Sequence, residues 1–372
     1  MNIGYVVTSF PTLSESFVLN EVSELIGRGI DVHVFSLSEP ELNKSNSDVL
    51  NSELFRNRVH IFKGSLKMKG LSLLRPDVNL RAKYFVNLIR REGLELDFIH
   101  AQFAADQAYV ASKIAEALKV PHSITAHASD VYSAKYKDKS RRQMFKADAV
   151  VTISNYNAEY IRGLNVNPEK VHVIRTGVNM KKFSQRPKNS IKQCALLSIG
   201  RLVEKKGHIF SIKAVKSLQE KYPKLRYTIV GSGPLEETLK DVAYGLNVQF
   251  FKGISNDEVI QLLNECTAFV LPCIIAHDGD RDGIPVALIE AMACEVPVIS
   301  THISGIPELI ESGKDGMLVG QKNVCELERA VESILQNQNA AEMGENARKK
   351  VERCYNIDKN IPKLIKVFES LI

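Results

Sequence analysis

Short apolar, β-branched runs alternate with helix-period patterns along nearly the whole chain. The first half reads NIGYVVTSF, the helix pattern SESFVLNEVSELIGR, then IDVHVFSL, RVHIF, DFIHAQF, HSITAH and AVVTIS. The second half repeats that grammar with CALLSIG, RYTIVG, VQFFKG, AFVLP, VPVIST and GMLV. Strands spaced by helices indicate βαβ units and parallel sheets, so the expected class is α/β with two doubly wound domains. Between the halves, VIRTGVNMKKFSQRPKNSIKQ (173–193) has a turn-forming TG and a polar tail, the composition of a linker. The expected organisation is an N-terminal domain over 1–180, a C-terminal domain over 181–357, and a terminal amphipathic helix over 358–372 returning toward the first domain. Two such domains imply a central cleft, with ligands beyond the carboxyl ends of the strands.

A length of 372 residues suits about two cores. An apolar fraction of 44% with 25% charged residues excludes a disordered or fibrous chain. The start, MNIGYVVTSFP, lacks the basic segment and long apolar core of a signal peptide. No run reaches the roughly 20 apolar residues that span a bilayer. The six cysteines show no C-x2-C pairing, and several sit in apolar runs as small hydrophobes. The expected setting is therefore reduced and cytoplasmic.

The net charge of +6 matters through its distribution. Ten Lys/Arg fall between Arg56 and Arg91 (Arg56, Arg58, Lys63, Lys67, Lys69, Arg75, Arg81, Lys83, Arg90, Arg91), and KYKDKSRRQMFK (135–146) forms a second knot. These clusters suit an anionic membrane surface, or else are ordinary solvated helix faces. Nucleic acid is not an expected partner: zinc spacing, an RRM-like aromatic motif and tryptophan are all missing from the sequence.

The chemistry expected at the strand ends is specific. After CALLSIG come Arg201 and Lys206 around a turn, and Gly207 opens a helix pattern. Two cations beside free helix N–H groups suit a diphosphate, although loop cations are commonly just solvated. After RYTIVG, Gly231 and Gly233 permit close backbone approach and Pro234 starts a helix; a tight turn explains them equally. Ser304, Gly305 and Ile306 follow VPVIST and lead into a short helix whose amides would face the cleft. In the first half, Ser14 and Glu15 suit a helix cap, and His127 and Asp130 end the strand HSITAH. A histidine there is commonly a packing residue, and its place on the cleft side favours a role in the site.

The run DGDRDGIPVALIE (278–290) comes near a calcium loop, but the closing carboxylate of that pattern would stand at 289, which is Ile. One residue of slip turns a helical side chain by about 100°, away from an ion on Asp278, Asp280 and Asp282. The other reading starts a helix near Pro285, with Asp282 at its edge as N-cap or ligand-facing acid. Glu290 then lies in an apolar helix, where an unpartnered carboxylate is costly and ribose hydroxyls would serve as donors. Asp278 and Asp280 are left to shape the loop or meet sugar hydroxyls.

Together these residues resemble the retaining glycosyltransferases of family 4, whose GT-B fold has two Rossmann-like domains. GRLVEKKG, DGIPVALIEAMA and SGIPELIESGKDGMLV are similar to that family's diphosphate, E-x7-E and glycine-loop elements. FPTLSESFVLNEV and HDGDRDGIPVALIEAMA resemble the colanic-acid-type polysaccharide glycosyltransferases. Three positions depart: Asp282 replaces a usual Glu, Ser304 a usual Gly, and Gln102 a frequent His. The resemblance implies a nucleotide-diphosphate sugar donor and a glycan or lipid-linked oligosaccharide acceptor. Arg201 and Lys206 would neutralise the diphosphate, Glu290 would bind ribose, and Asp282 would approach the transferred sugar. Gly305 and Ile306 would offer amides, and His127 would lie beneath the anomeric carbon. Transfer would proceed with retention by a front-face route without cofactor or metal. The alternatives are a sugar-nucleotide epimerase or phosphorylase on this scaffold, or a calcium-dependent binding module.

Overall fold

The computed structural model describes residues 1–12, 15–40, 44–62, 77–185, 191–192, 194–336 and 339–372. Ser14, the basic residues Lys63, Lys67, Lys69 and Arg75, and most of the polar tail of the expected linker lie outside them. The chain divides into two compact units, Met1–Arg175 with Asn360–Ile372, and Thr176–Lys359.

Seven parallel strands build the first sheet: β1 (Asn2–Ser9), β2 (Asp31–Ser38), β3 (Val59–Ile61), β4 (Phe98–Gln102), β5 (His122–Ala126), β6 (Ala149–Thr152) and β7 (Val171–Val173). Their order is β3-β2-β1-β4-β5-β6-β7. The central strands β4 and β5 are buried throughout, as expected of strands covered on both faces. Helices supply the cover through one apolar stripe each. Ser16–Gly27, for example, buries Val18, Val22 and Leu25 at i, i+4 and i+7. Phe368, on the last helix (Ile357–Glu369), packs on the rings of Phe98 and His100 at 4.8 and 5.0 Å. Such ring pairs contribute about 1 kcal/mol each beyond their buried area and fasten the chain end to this sheet.

The second unit has six parallel strands: β8 (Ala195–Ile199), β9 (Arg226–Val230), β10 (Val248–Phe251), β11 (Ala268–Val270), β12 (Val298–Thr301) and β13 (Met317–Val319). Their order is β10-β9-β8-β11-β12-β13. Apolar clusters lie on each side of this sheet, one around Phe269, Leu288 and Met292, the other around Leu196, Ile212 and Tyr227. In both sheets the order reverses beside the first strand, so the switch points fall between β1 and β4 and between β8 and β11.

Two local expectations change. Val171–Val173 pairs with β6 as a strand, so the chain stays in the first sheet slightly further than its composition suggests. A three-residue edge strand is too short to show the alternation that marks longer ones. Glu15 stands at the N-cap of Ser16–Gly27, but its side chain makes no cap hydrogen bond.

Candidate functional site

In the second unit, the loops after β8, β9, β11 and β12 interlock at the carboxyl edge of the sheet. A Cβ on Gly231 would stand 1.9 Å from the Gly200 carbonyl oxygen, and one on Gly233 would stand 2.5 Å from that of Leu202. These glycines are therefore required by loop-to-loop packing whether or not a ligand binds. Gly207, with φ +69°, is likewise pressed against the Pro272 carbonyl oxygen and precedes the helix His208–Lys221.

The loop 273–283 is stapled to the turn Glu204–Lys206. Ile274 N–H donates to the Lys205 carbonyl at 2.9 Å, and His277 Nδ1 lies 2.6 Å from Glu204 Oε2. Lys205 Nζ is 3.1 Å from Asp280 Oδ2 and 3.5 Å from Asp282 Oδ1, and Lys206 Nζ is 2.7 Å from Asp282 Oδ2. Burial alone would raise the Asp282 carboxyl; the Lys206 and Lys205 ammonium groups outweigh it and bring it down to about 2. Asp282 is thus no helix cap: Pro285 holds the N-cap of Val286–Ala293, and Asp282 belongs to the lysines. Asp280 pairs with Lys205, and Asp278 Oδ1 accepts the Asp280 N–H in a local turn. With Asp280 and Asp282 facing ammonium groups, this loop is built for a charge cluster and not for a calcium ion.

Arg201 is exposed at the end of β8, and Lys206 runs beside Gly200, 3.4 Å from where a Cβ there would sit. Guanidinium, ammonium and the start of a 14-residue helix therefore share one strand end. On Val286–Ala293, Glu290 is half-buried among apolar neighbours, and its carboxylate accepts no hydrogen bond from the described residues. Burial pushes its carboxyl up to about 7, against a weaker opposing pull from Lys182.

The Ser304–Ile306 loop differs from expectation. The Gly305 N–H donates to the Gly283 carbonyl at 3.2 Å and the Ile306 N–H to that of Ile303 at 3.1 Å. Both amides are spent on the fold, so neither is free for a phosphate in this conformation. Ser304 takes the left-handed region at φ +50°, and its buried hydroxyl has no hydrogen-bond partner among the described residues.

The first unit places His127 just beyond β5, buried against Phe17 and Phe103 at ring distances of 4.8 and 4.6 Å. Burial lowers its pKa to about 3, so the ring is neutral. Its Nε2 lies 2.6 Å from Gln102 Oε1, and Asn157 Nδ2 donates to its main-chain carbonyl. The Asp130 carboxylate accepts the N–H groups of Ala104, His127 and Ala128, which fixes this strand end. Phe103 and Asp130 also line a cavity of about 580 Å³ with Thr8, Arg81, Tyr136 and Lys139. Sequence patterns did not single out Lys205 as the partner of two aspartates, nor Tyr5 and Glu21 behind His127. Glu21 left a trace, because it shares the apolar stripe of Val18, Val22 and Leu25.

Two family descriptions cover the chain: Glycosyltransferase Family 4 matches residues 14–182, and Glycosyl transferases group 1 matches residues 180–350. An Escherichia coli K12 protein provisionally named a colanic acid biosynthesis glycosyltransferase is 31% identical over 392 residues, 96% of either chain. The amylovoran biosynthesis glycosyltransferase of Erwinia amylovora is 28% identical over the full length of both chains. Among solved structures, Anabaena Alr3699/HepE in complex with UDP and glucose superposes over the full length of both chains with TM-score 0.81 at 17% identity. Sucrose-phosphate synthase from Thermosynechococcus elongatus gives 0.79 at 18%, over 100% of this chain and 99% of its own. Both show the same two Rossmann-like domains of the GT-B fold. The chain belongs to the group 1 and family 4 glycosyltransferases, and its relatives include those named for colanic acid and amylovoran biosynthesis.

Proposed function

We propose that this glycosyltransferase moves a hexosyl group, with retention, from a nucleotide-diphosphate sugar to a polysaccharide or lipid-linked oligosaccharide acceptor. The observation that carries the donor assignment is Glu290, a half-buried carboxyl raised to about 7 that lacks a hydrogen-bond donor among the described residues. A vicinal diol supplies two such donors, so ribose binding would relieve the cost of that burial. Arg201, Lys206 and the helix start at His208 would stabilise the departing diphosphate, the work a divalent ion does elsewhere. Asp282 would meet sugar hydroxyls, with Ser304, Gly305, Gly231 and Gly233 shaping the loops around the donor. Retention would follow a front-face route in which the leaving phosphate oxygen takes the acceptor proton, with no protein nucleophile.

The relatives' names support a polysaccharide product, and UDP in the Anabaena structure supports a nucleotide donor. No helix among the described residues is long and apolar enough to cross a membrane. The helix Lys137–Lys146 exposes Arg141, Arg142 and Lys146 beside Phe145, a surface suited to an anionic inner leaflet bearing a lipid-linked acceptor. This reading places the protein on the cytoplasmic side.

A panel of nucleoside diphosphates and sugar nucleotides, screened for a raised melting temperature, tests the donor assignment. The expected result is stabilisation by one base and its sugar conjugates, lost in Glu290→Ala. Stabilisation equal in Glu290→Ala and wild type sinks the ribose role.

A further inference from the structure

Behind His127 runs a buried chain of hydrogen bonds across three neighbouring strands. Tyr5 on β1 and Gln102 at the end of β4 are fully buried, and Glu21 reaches them from the helix Ser16–Gly27. The Tyr5 hydroxyl donates to Glu21 Oε1, and Gln102 Nε2 donates to Glu21 Oε1 at 2.8 Å and contacts the Tyr5 oxygen. Gln102 Oε1 faces His127 Nε2 at 2.6 Å. The sheet order makes this arrangement: β4 lies between β1 and β5, so one side chain on β4 touches both neighbours.

We propose that Gln102, oriented by Glu21 and Tyr5, is a positioning residue that holds His127 as the Nε2–H tautomer and presents Nδ1 as a bare acceptor for a carbohydrate hydroxyl. The argument follows from donors and acceptors. Above its raised pKa of about 7, as at pH 8, Glu21 is a carboxylate that accepts only, so the Gln102 amide must turn its NH2 toward Glu21 and its oxygen toward His127. That oxygen cannot donate, so the Nε2 of His127 carries the proton. The ring is neutral and has only one proton, so Nδ1 keeps its lone pair. Nδ1 has no hydrogen-bond partner among the described residues, and the main-chain carbonyl is already taken by Asn157. His127 would therefore receive a hydroxyl proton in a hydrogen bond and would not act as a cation or general acid.

Phe17 and Phe103 pack on the ring in tilted contacts and meet each other edge-on at 6.3 Å, and Phe103 adopts φ +73°. The other titratable groups around the chain favour the same state. His100, tilted against the Tyr5 ring at 4.8 Å, is held neutral by burial near a pKa of 3, and Asp130 is occupied by main-chain N–H groups. Gln102 is one of the positions that depart from the resemblance, and its amide is the group here that can accept from His127 while donating to Glu21.

This inference rests on the reading of His127 as part of the transfer site, but its first readout is independent of activity. Side-chain ¹⁵N spectra of histidine-labelled full-length protein at pH 8 are expected to show His127 protonated at Nε2 alone. Gln102→Met, similar in length without the amide, should give a tautomer mixture and lower kcat about 10-fold, the worth of one neutral hydrogen bond, with donor KM little changed. The exchange Glu21→Gln with Gln102→Glu preserves a donor toward one partner and an acceptor toward the other, and should restore the Nε2–H form and kcat to within about 3-fold. A wild-type spectrum with the proton on Nδ1, or a Gln102→Met spectrum identical to wild type, overturns the proposal. Should Gln102→Met not fold, the wild-type and exchange spectra still decide it. A confirmed tautomer without sugar transfer from any donor would instead count against the proposed function.

Discussion

The two sheets end in opposite chemistry although both reverse their strand order beside the first strand. At the edge of the second sheet, Lys205, Lys206, Asp280 and Asp282 form a network of full charges, with Asp282 held near 2. At the edge of the first, Glu21, Tyr5, Gln102 and His127 form a hydrogen-bonded chain around a neutral imidazole. A charge network suits an anion such as phosphate, whereas a neutral chain fixes direction: which atom donates and which accepts. The topology supplies the position and the side chains decide which of these tasks is done there.

The largest effect expected from that contrast is on turnover. On the proposed donor site, Lys206→Ala and Glu290→Ala should each lower transfer by at least about 100-fold, since the first would remove charge from the leaving diphosphate and the second the ribose anchor. Initial rates with the stabilising sugar nucleotide, on variants with unchanged circular dichroism, measure this. A Lys206→Ala rate within a few-fold of wild type would break the division of labour.

The parts legible in sequence follow the same divide. Twelve of the strands announce themselves because their cores are apolar and their ends carry Gly, Pro or polar breaks. Arg201 with Lys206, and Asp282 with Glu290, stand out through spacing within two short segments, and the structure brings Lys206 and Asp282 into contact. Pairings across long separations leave no local mark: Lys205 with Asp280 is one, and Tyr5 with Glu21 and Gln102 another. The amides of Gly305 and Ile306 misled for a related reason, since whether an N–H is free depends on a carbonyl elsewhere, here that of Gly283 for the first.

A smaller effect separates the lysine pair from the ligand. Because Lys206 is engaged by Asp282, Asp282→Asn should tighten binding of a nucleoside diphosphate without sugar about 5-fold, the scale of one partly screened ion pair. Calorimetric titration measures it; weaker binding would mean that Asp282 assists the diphosphate directly. The same substitution has a pH signature. The ionised Asp282 is favoured in the fold, so its contribution of about 2 kcal/mol is present above pH about 4 and fades as pH falls through about 2. Urea unfolding of both proteins should show a stability gap that closes across that range.

The subtlest difference lies between two glutamates that burial lifts to about 7, Glu21 and Glu290. An acid with a raised pKa favours the fold while protonated, so its contribution is lost as pH climbs from about 4.5 through about 7. Glu290 has no compensating donor among the described residues, and Glu290→Gln should stabilise the unit at pH 8 by about 1 kcal/mol after solvent screening, roughly 2–4 °C in melting temperature. That gain should disappear at pH 5. Glu21→Gln relieves a similar cost but takes the charged acceptor from Tyr5 and Gln102, so the two effects offset and the shift should stay under about 2 °C. Equal gains at both sites would mean that the donors around Glu21 contribute nothing, and the hydrogen-bonded chain behind His127 would lose its anchor.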